Sequence, residues 1–508
     1  MDRAVDRLLR SRRDGEHIVI FGDYDVDGVT STALLLESMR VLGWTVSEYL
    51  PSRMDEGYGL SRAGVANCLT KFQDMKLLLA VDCGSTSVDA VAQLGARGVD
   101  VVVVDHHHVS DPAPNAVALV NPLVGGDGKF TELCSVGLAF KLVHALVRRC
   151  RADGIGGADE FDLRPLLDLV ALGTIADVVP LVNENRILAA AGLAMLNQTT
   201  RPGLVALRDV SQCRQIGTYE VGFLLGPRLN AAGRLETAAD ALALLNSKTM
   251  DDAMPLAVNL DRRNRERQNI ERTIAEEALR MATSRFDPAN DYVIVESGPS
   301  WHVGVVGIVA SRMMQRFYRP SIIIGREGDD WRGSGRSIAG FDMANALIEC
   351  SDLLIRHGGH AMAAGISISP DKIDAFRERL NDVGRRVLAH IDLQPPLRVD
   401  AEVTLKQMTL ECVQDLDALK PTGQGNPDVQ FVIRGLEQCR IPQRMGKDGK
   451  HVKMWVSDGA VQCEAVLWGA GNDPLPTGRF DMAFSPKINE FNGRTSVQLK
   501  VSDWRPFV

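Results

Sequence analysis

Paired cysteines, long apolar runs, a secretory leader and an excess of positive charge are all missing from this 508-residue chain. Nine cysteines are scattered without a C-x-x-C pair, and the count is odd. That argues against a disulfide framework and against a cysteine-held zinc, and it fits a reducing, cytoplasmic setting. No stretch approaches the roughly 18 apolar residues that a membrane span needs. Met1 to Asp14 is rich in Arg and Asp and has no apolar core, so it is not a signal peptide. A formal net charge of -8 gives no global basic signature. If nucleic acid is the partner, the positive potential has to be gathered locally, in a groove. Internal repeats and low-complexity tracts are also absent. The length is too great for a single core, and about three domains is the expectation.

What is present is a repeating pattern of strand, helix and acidic residue. The runs Ile18–Phe21, Leu77–Val81 and Val101–Val104 are short, rich in branched apolar residues and bounded by charged residues or glycine. Such runs read as buried parallel strands. Helical patterns at Thr30–Leu42 and Ser87–Ala96 lie between them. This alternation predicts an α/β fold with a doubly wound, mostly parallel sheet over residues 1–245. A long charged helix follows (246–285), its arginines either solvated or facing phosphate. A smaller α/β lobe comes next (286–394), with strands at Tyr292–Val295 and Ser321–Ile324 and a Gly-rich loop at Gly333–Ser337. Beyond Pro395-Pro396 the pattern turns mostly β (395–508), starting with a strand at Leu397–Leu405 and including an Asn492-Gly493 hairpin signal. Several short strands there suggest a small barrel of the OB type that binds single strands.

In a doubly wound sheet, ligands collect beyond the carboxyl ends of the strands. Those ends carry Asp23, Asp25 and Asp27, then Asp82, then Asp105-His106-His107-His108. Closely spaced carboxylates repel one another and are costly near low dielectric unless a cation compensates. With Asp177 they form an oxygen-and-imidazole donor set suited to Mn²⁺ or Mg²⁺. Two such ions, about 3.5–4 Å apart, are what a two-metal phosphoesterase uses.

The segments Gly22–Gly28, Val81–Gly84, Asp105–His107 and Asp177 together resemble the four motifs of the DHH phosphoesterase superfamily. Gly226–Arg234, Trp301–Gly307 and Leu419–Pro427 extend the resemblance to its single-strand-specific 5′→3′ DNA exonucleases, over nearly the whole chain. The resemblance implies Asp25 on a first metal with Asp23 as helper, Asp27, His106 and Asp177 on a second, and Asp82 bridging both. It implies Asp105 orienting the imidazole beside it and His107 on the scissile phosphate. His108 reads as an exposed loop histidine. Gly358-Gly359-His360 matches the signature of the second domain, where glycines let the backbone approach a phosphate; a tight turn is the competing account. Ser334, Arg336 and Arg53 are implied as a 5′-phosphate pocket, with Ser337 in the same segment and Arg228 or Arg234 converging on it. Tyr58 or Trp301 offers either a stacking face or core packing. Only 22 residues precede Asp23, fewer than that family usually carries, which puts the support of the first strand in question.

The expected function is metal-dependent hydrolysis of single-stranded DNA from a 5′ end to 5′-mononucleotides, in repair and recombination. The expected protein is a monomer, with a helicase and a single-strand-binding protein as partners and no membrane. An oligoribonuclease or cyclic-dinucleotide phosphodiesterase of the same superfamily is the alternative, disfavoured by the extra barrel. A non-catalytic replication scaffold is the other, disfavoured by the full ligand set.

Overall fold

The computed structural model describes all residues except 53–55, 58, 126–129, 236–237, 447–448, 472, 492 and 508, and except the side chains of residues 234, 235 and 491. Arg53 and Tyr58 therefore lie outside the described residues, as do the side chain of Arg234 and the Asn492 half of the hairpin signal. The chain divides into two compact units. One comprises residues 1–177 and 191–395, the other residues 178–190 and 396–508.

In the first unit a five-stranded sheet runs in the order β2 (Val46–Tyr49), β1 (His17–Gly22), β3 (Met75–Val81), β4 (Asp100–Val104), β5 (Ala118–Val120). All four pairings are parallel. Ile18 to Phe21, Leu77 to Val81 and Val102 to Val104 are fully buried, because helices cover both faces of the sheet. The strand order reverses between β1 and β3. That is a topological switch point, and it sets the carboxyl ends bearing Asp23 and Asp82 side by side. Helix Asp2–Arg13 is tied into this layer by side-chain contacts. Trp44 Nε1–H donates to Leu8 O (2.8 Å), and buried Arg7 pairs with Glu16 and Asp100 (both 2.6 Å).

The helix Met250–Arg285 leaves this layer as a 36-residue rod. Most of its arginines are exposed, as a solvated face requires, but several charges are turned inward and paired. Asp261 takes Arg228 (2.9 Å), Arg263 takes Asp240 (3.2 Å) and buried Arg267 takes Glu271 (2.7 Å). Farther along, Glu277 accepts from Trp301 Nε1–H (2.8 Å). The pairs with Arg228, Asp240 and Trp301 tie the rod to neighbouring elements, while Arg267 and Glu271 pair within it.

The second lobe has the strand order β6 (Ile294–Ser297), β7 (Ser321–Glu327), β8 (Asp330–Arg336), β10 (Ala363–Ile368), β9 (Leu354–Gly359). Only β6–β7 is parallel. The glycine-rich segment expected as a loop is mostly strand: Gly333 to Arg336 lie on β8. Its glycines let Ile324 and Ile366 close over Gly333, where a Cβ would come within 2.9 Å of both side chains.

In the second unit, β12 (Phe431–Gln438), β14 (His451–Ser457), β15 (Gln462–Leu467), β17 (Arg494–Pro506) and β16 (Arg479–Phe491) close a barrel. β12 pairs with both β14 and β16, and β15–β17 is the parallel contact. This is the order of an OB barrel. Two short strands, β11 (Ala401–Glu402) and β13 (Gln443–Met445), extend it. The strand expected at Leu397–Leu405 shrinks to β11, and a helix at Leu410–Leu416 follows. Residues 178–190 join this unit through the Leu181 N–H to Gln424 O bond (2.7 Å), a long-range pairing that no local pattern announces.

Candidate metal centre

Each donor is held by a different local device. Asp25 is the N-cap of helix Val26–Val41, its Oδ1 accepting from the Gly28 N–H (3.1 Å). Asp27, in the first turn of that helix, is buried and accepts from the N–H groups of Ser135 (2.7 Å) and Val136 (2.8 Å). The start of a second helix, Ser135–Ala152, thereby aims its amides at the same carboxylate. Asp82 follows β3 with φ +62°, a left-handed conformation uncommon for any residue but glycine. Asp177 caps the end of helix Leu167–Ala176, so this donor comes from a helix terminus and not from a strand tip. That helix approaches so closely that a Cβ at Gly173 would sit 2.4 Å from Thr30 Oγ1 and 3.2 Å from Asp27 Oδ1.

These devices converge. His106 Nε2 lies 3.9 Å from Asp27 Oδ2, 3.6 Å from Asp82 Oδ1 and 3.5 Å from Asp177 Oδ2. Three groups have ligand atoms within 4.8 Å of one another: Asp23, Asp25 and Asp82; Asp27, His106 and Asp177; and Asp82, His106 and His107. Asp82 belongs to two of them. Both Asp82 oxygens, His106 Nε2 and Asp177 Oδ2 are buried without a hydrogen-bond partner. Buried polar atoms are normally satisfied, so these orphans fit divalent cations held by oxygen and imidazole.

The electrostatics match that fit. Burial, then the charge of Asp25, pushes the Asp27 carboxyl up to about 7. Burial with Asp27 and Asp25 alongside pushes Asp177 up to about 9, and Asp82 is raised for the same reasons. Burial, aided by the nearby His107 charge, lowers His106 to about 4, so its imidazole is neutral and has a lone pair to offer a cation. His107 behaves oppositely. Burial disfavours its charge, but the hydrogen bond and charge of Asp105 (2.7 Å) outweigh that and raise it to about 9. Asp105, held by His107 and by the Ser85 N–H (3.0 Å), stays well below the usual carboxylate range despite burial. The imidazole that Asp105 orients is thus that of His107, and not the one among the carboxylates.

Two positioning residues had no role in the sequence reading. Asn230 Oδ1 accepts from the Val26 N–H (3.1 Å), and buried Asn121 donates to His107 O (2.8 Å) and Ser85 Oγ (2.9 Å). Asn230 lies within a quoted motif, which was the available signal; Asn121 had none.

From the second lobe, the His360 ring lies 5.9 Å from that of His108, edge to face. His108 is exposed, as expected, but it meets the second lobe. Gly359 has φ +142°, and a Cβ there would meet Ala363 O at 2.5 Å, so the turn into His360 requires glycine. Arg336 Nη1 donates to Ser334 Oγ (3.0 Å), and both side chains face Gly307 in the first turn of helix Val306–Phe317. Two expected ligand-facing residues are otherwise engaged, and the open choice for Trp301 is decided. Ser337 is buried and donates to Phe341 O (2.7 Å). Arg228 is committed to Asp261 and to Leu224 O (2.6 Å). Trp301 is 1% exposed and belongs to the core, so it offers no stacking face.

A doubly wound lobe with this donor cluster, a second α/β lobe and an OB barrel defines a DHH-type metallophosphoesterase architecture. Family models agree: the DHH family, N-terminal domain, matches residues 17–174, the DHHA1 domain 290–385 and the RecJ OB domain 399–503. The chain is 38% identical to the single-stranded-DNA-specific exonuclease RecJ of Dickeya dadantii, covering 99% of this chain and 90% of that protein. It is 36% identical to the RecJ of Bacillus subtilis, spanning 99% of this chain but 63% of the relative's length. The crystal structure of Thermus thermophilus RecJ in complex with Mn²⁺ superposes with a TM-score of 0.83 at 30% identity, covering 99% of this chain and 71% of that one. Its Mg²⁺ complex gives 0.77 at 29% identity, covering 99% and 69%. The chain belongs to the RecJ family.

Proposed function

We propose that this protein is a divalent-metal-dependent exonuclease that degrades single-stranded DNA from its 5′ end to 5′-mononucleotides, in DNA repair and recombination. The observation that carries this reading is the convergence on His106 of three carboxylates from separate elements, with orphaned buried atoms facing one another. Mn²⁺ or Mg²⁺, as a pair, supplies Lewis-acid activation of the attacking water and neutralises charge on the phosphoryl group. Asp23 and Asp25 would hold one ion, Asp27, His106 and Asp177 the other, and Asp82 would serve both, which agrees with its place in two donor groups.

His107, kept protonated by Asp105, sets a positive N–H against an oxygen of the scissile phosphate, where charge builds up in the transition state. His360 closes the same space from the second lobe. Ser334, Arg336 and the first turn of helix Val306–Phe317 bind the 5′-terminal phosphate, together with Arg53; that anchor sets the direction of digestion. Gly358 and Gly359 leave the backbone accessible beside it. Arg234 remains a candidate DNA contact. Single-stranded DNA also runs over the OB barrel, where Trp468 is exposed beside His451 (4.7 Å). Among the described residues no helix is long and apolar enough to cross a membrane. We place the enzyme in the cytoplasm as a monomer, fed by a helicase and a single-strand-binding protein.

The test is digestion of 3′-labelled single and double strands, with and without 5′-phosphate, in Mn²⁺ and in chelator. Metal-dependent release of 5′-mononucleotides from the single strand is expected. Equal digestion of the duplex, or turnover in chelator, overturns the reading.

A further inference from the structure

The 5′-phosphate anchor is not the end of the track on the second lobe. Cross-strand partners share a face of a sheet, and the register of β8, β10 and β9 sets up successive rows. Arg336 pairs with Ala363, whose carbonyl accepts from the His360 N–H (2.8 Å). Ser334 pairs with Gly365, and Gly365 with Gly358. Arg332 pairs with Ser367, and Ser367 with Arg356. Intervening rows place Ile366 and Ile368 on the opposite face, in the hydrophobic core, so all three polar rows face the same way.

The rows are ordered. The His360 row is nearest the metal centre, because its ring touches that of His108. The Ser334 row comes next, and the Arg332–Ser367–Arg356 row lies two residues farther away, about 6.7 Å along the strand. That distance is comparable with one phosphate-to-phosphate step of an extended strand. A cavity of about 820 Å³ begins at Gly304 and Ser334 and extends to Arg332, Ser367 and Arg356. Cavities of roughly 300–1,000 Å³ accommodate ligands of nucleotide size. Arg332 is paired with Glu327 (3.2 Å) and Asp330 (3.3 Å), whereas Arg356 has no ion-pair partner among the described residues.

We propose that this cavity is a second nucleotide subsite, one step 5′ of the terminal-phosphate anchor, which lets the enzyme start on a strand that ends in a 5′-hydroxyl. On such a strand the first phosphate able to fill the Ser334/Arg336 anchor is the internal one between nucleotides 1 and 2. The terminal nucleoside then occupies the cavity, its sugar and 5′-hydroxyl facing Arg356 and Ser367. The phosphate between nucleotides 2 and 3 then faces the donor cluster around Asp82 and His106. Water adds its oxygen to that phosphorus, and the bond to the 3′ oxygen of nucleotide 2 breaks. That oxygen leaves with a proton, so the released piece is a dinucleoside monophosphate with hydroxyls at both ends. The remaining strand carries a 5′-phosphate, and every later product is a mononucleotide.

This inference rests on the exonuclease reading above, and its test separates the two. The full chain is incubated in Mn²⁺ with one oligonucleotide bearing a 5′-phosphate and with the same oligonucleotide bearing a 5′-hydroxyl, and the products are identified by mass. A dinucleoside monophosphate as the first product of the hydroxyl strand, followed by mononucleotides, supports the subsite. A free nucleoside as first product overturns it, as does digestion of the phosphorylated strand alone. If neither strand is digested, the exonuclease reading itself fails. R356A is expected to slow the first cut of the hydroxyl strand at least fivefold relative to later cuts in the same strand. An unchanged ratio removes Arg356 from the subsite.

Discussion

Asp105 Oδ1 lies 2.7 Å from His107 Nδ1, while His106, one residue earlier, turns its Nε2 to within 3.5 Å of Asp177. Two adjacent histidines are thereby given opposite protonation. One imidazole is held neutral among the carboxylates, the other is kept cationic by Asp105.

Asp105→Asn removes the charge that holds the His107 pKa near 9. Its imidazole then titrates closer to the ordinary value of about 6.5, so less of it is cationic at alkaline pH. The variant is expected to lose about 10²-fold in kcat at pH 8.5 and less at pH 6.5. Parallel pH–rate profiles of the two proteins check this, and a pH-independent loss counts against the charged role.

Asp82→Asn keeps the shape and tolerates the left-handed backbone. It removes the carboxylate shared by two donor groups. Activity is expected to fall at least about 10²-fold, while the metal-free protein becomes more thermostable because folding no longer has to neutralise this buried carboxyl. Nuclease assays, with melting curves in chelator, read the two effects separately.

The metal-free wild type should lose stability as pH rises from 6.5 to 9. Asp27 and Asp177 titrate at about 7 and 9 in the fold but near 3.8 when unfolded. The folded state therefore binds more protons across this window, and raising pH favours unfolding. His107, raised to about 9, acts in the same sense; His106, lowered to about 4, opposes it only below about pH 6.5. Saturating Mn²⁺ should raise Tm and flatten the slope. A Tm in chelator that rises with pH would contradict the assignment.

Gly173→Ala places a methyl group 2.4 Å from Thr30 Oγ1 and 2.7 Å from Val136 Cγ1. Overpacking of this kind costs about 1–3 kcal/mol, and here it also pushes Asp177 away from Asp27. Denaturant midpoints should fall and the Mn²⁺ concentration needed for activity should rise together.

Trp468→Ala removes an exposed ring from the barrel. Stacking on an aromatic is worth about 1–3 kcal/mol per base. KM for a long single strand should rise about 5- to 100-fold, with kcat on a dinucleotide nearly unchanged.

Much of the first lobe could be read from local chemistry. Uninterrupted Val, Ile and Leu runs flanked by acids have few options other than buried parallel strands, and the acids then fall at their carboxyl ends. The candidate metal ligands came from that logic, helped by motif resemblance, and the fold brings them together. Arg228 and Ser337 were misjudged, and Trp301 was left open between base and core, because an arginine, a serine or a tryptophan looks the same in sequence whether it meets a ligand or a neighbouring chain segment. Partners such as Asp261, Phe341 and Glu277 lie at separations where no periodicity reports contact.

Order along the chain thus carries the strand, the acid after it and the alternation of layers, since these depend on neighbours a few residues apart. The aim of each carboxylate does not. It comes from the positive φ at Asp82, the amides of Ser135 and Val136 brought to Asp27, the helix end that delivers Asp177 and the row-by-row register of β8, β10 and β9. Distances of a few ångströms between groups a hundred residues apart arise only when the chain has closed on itself.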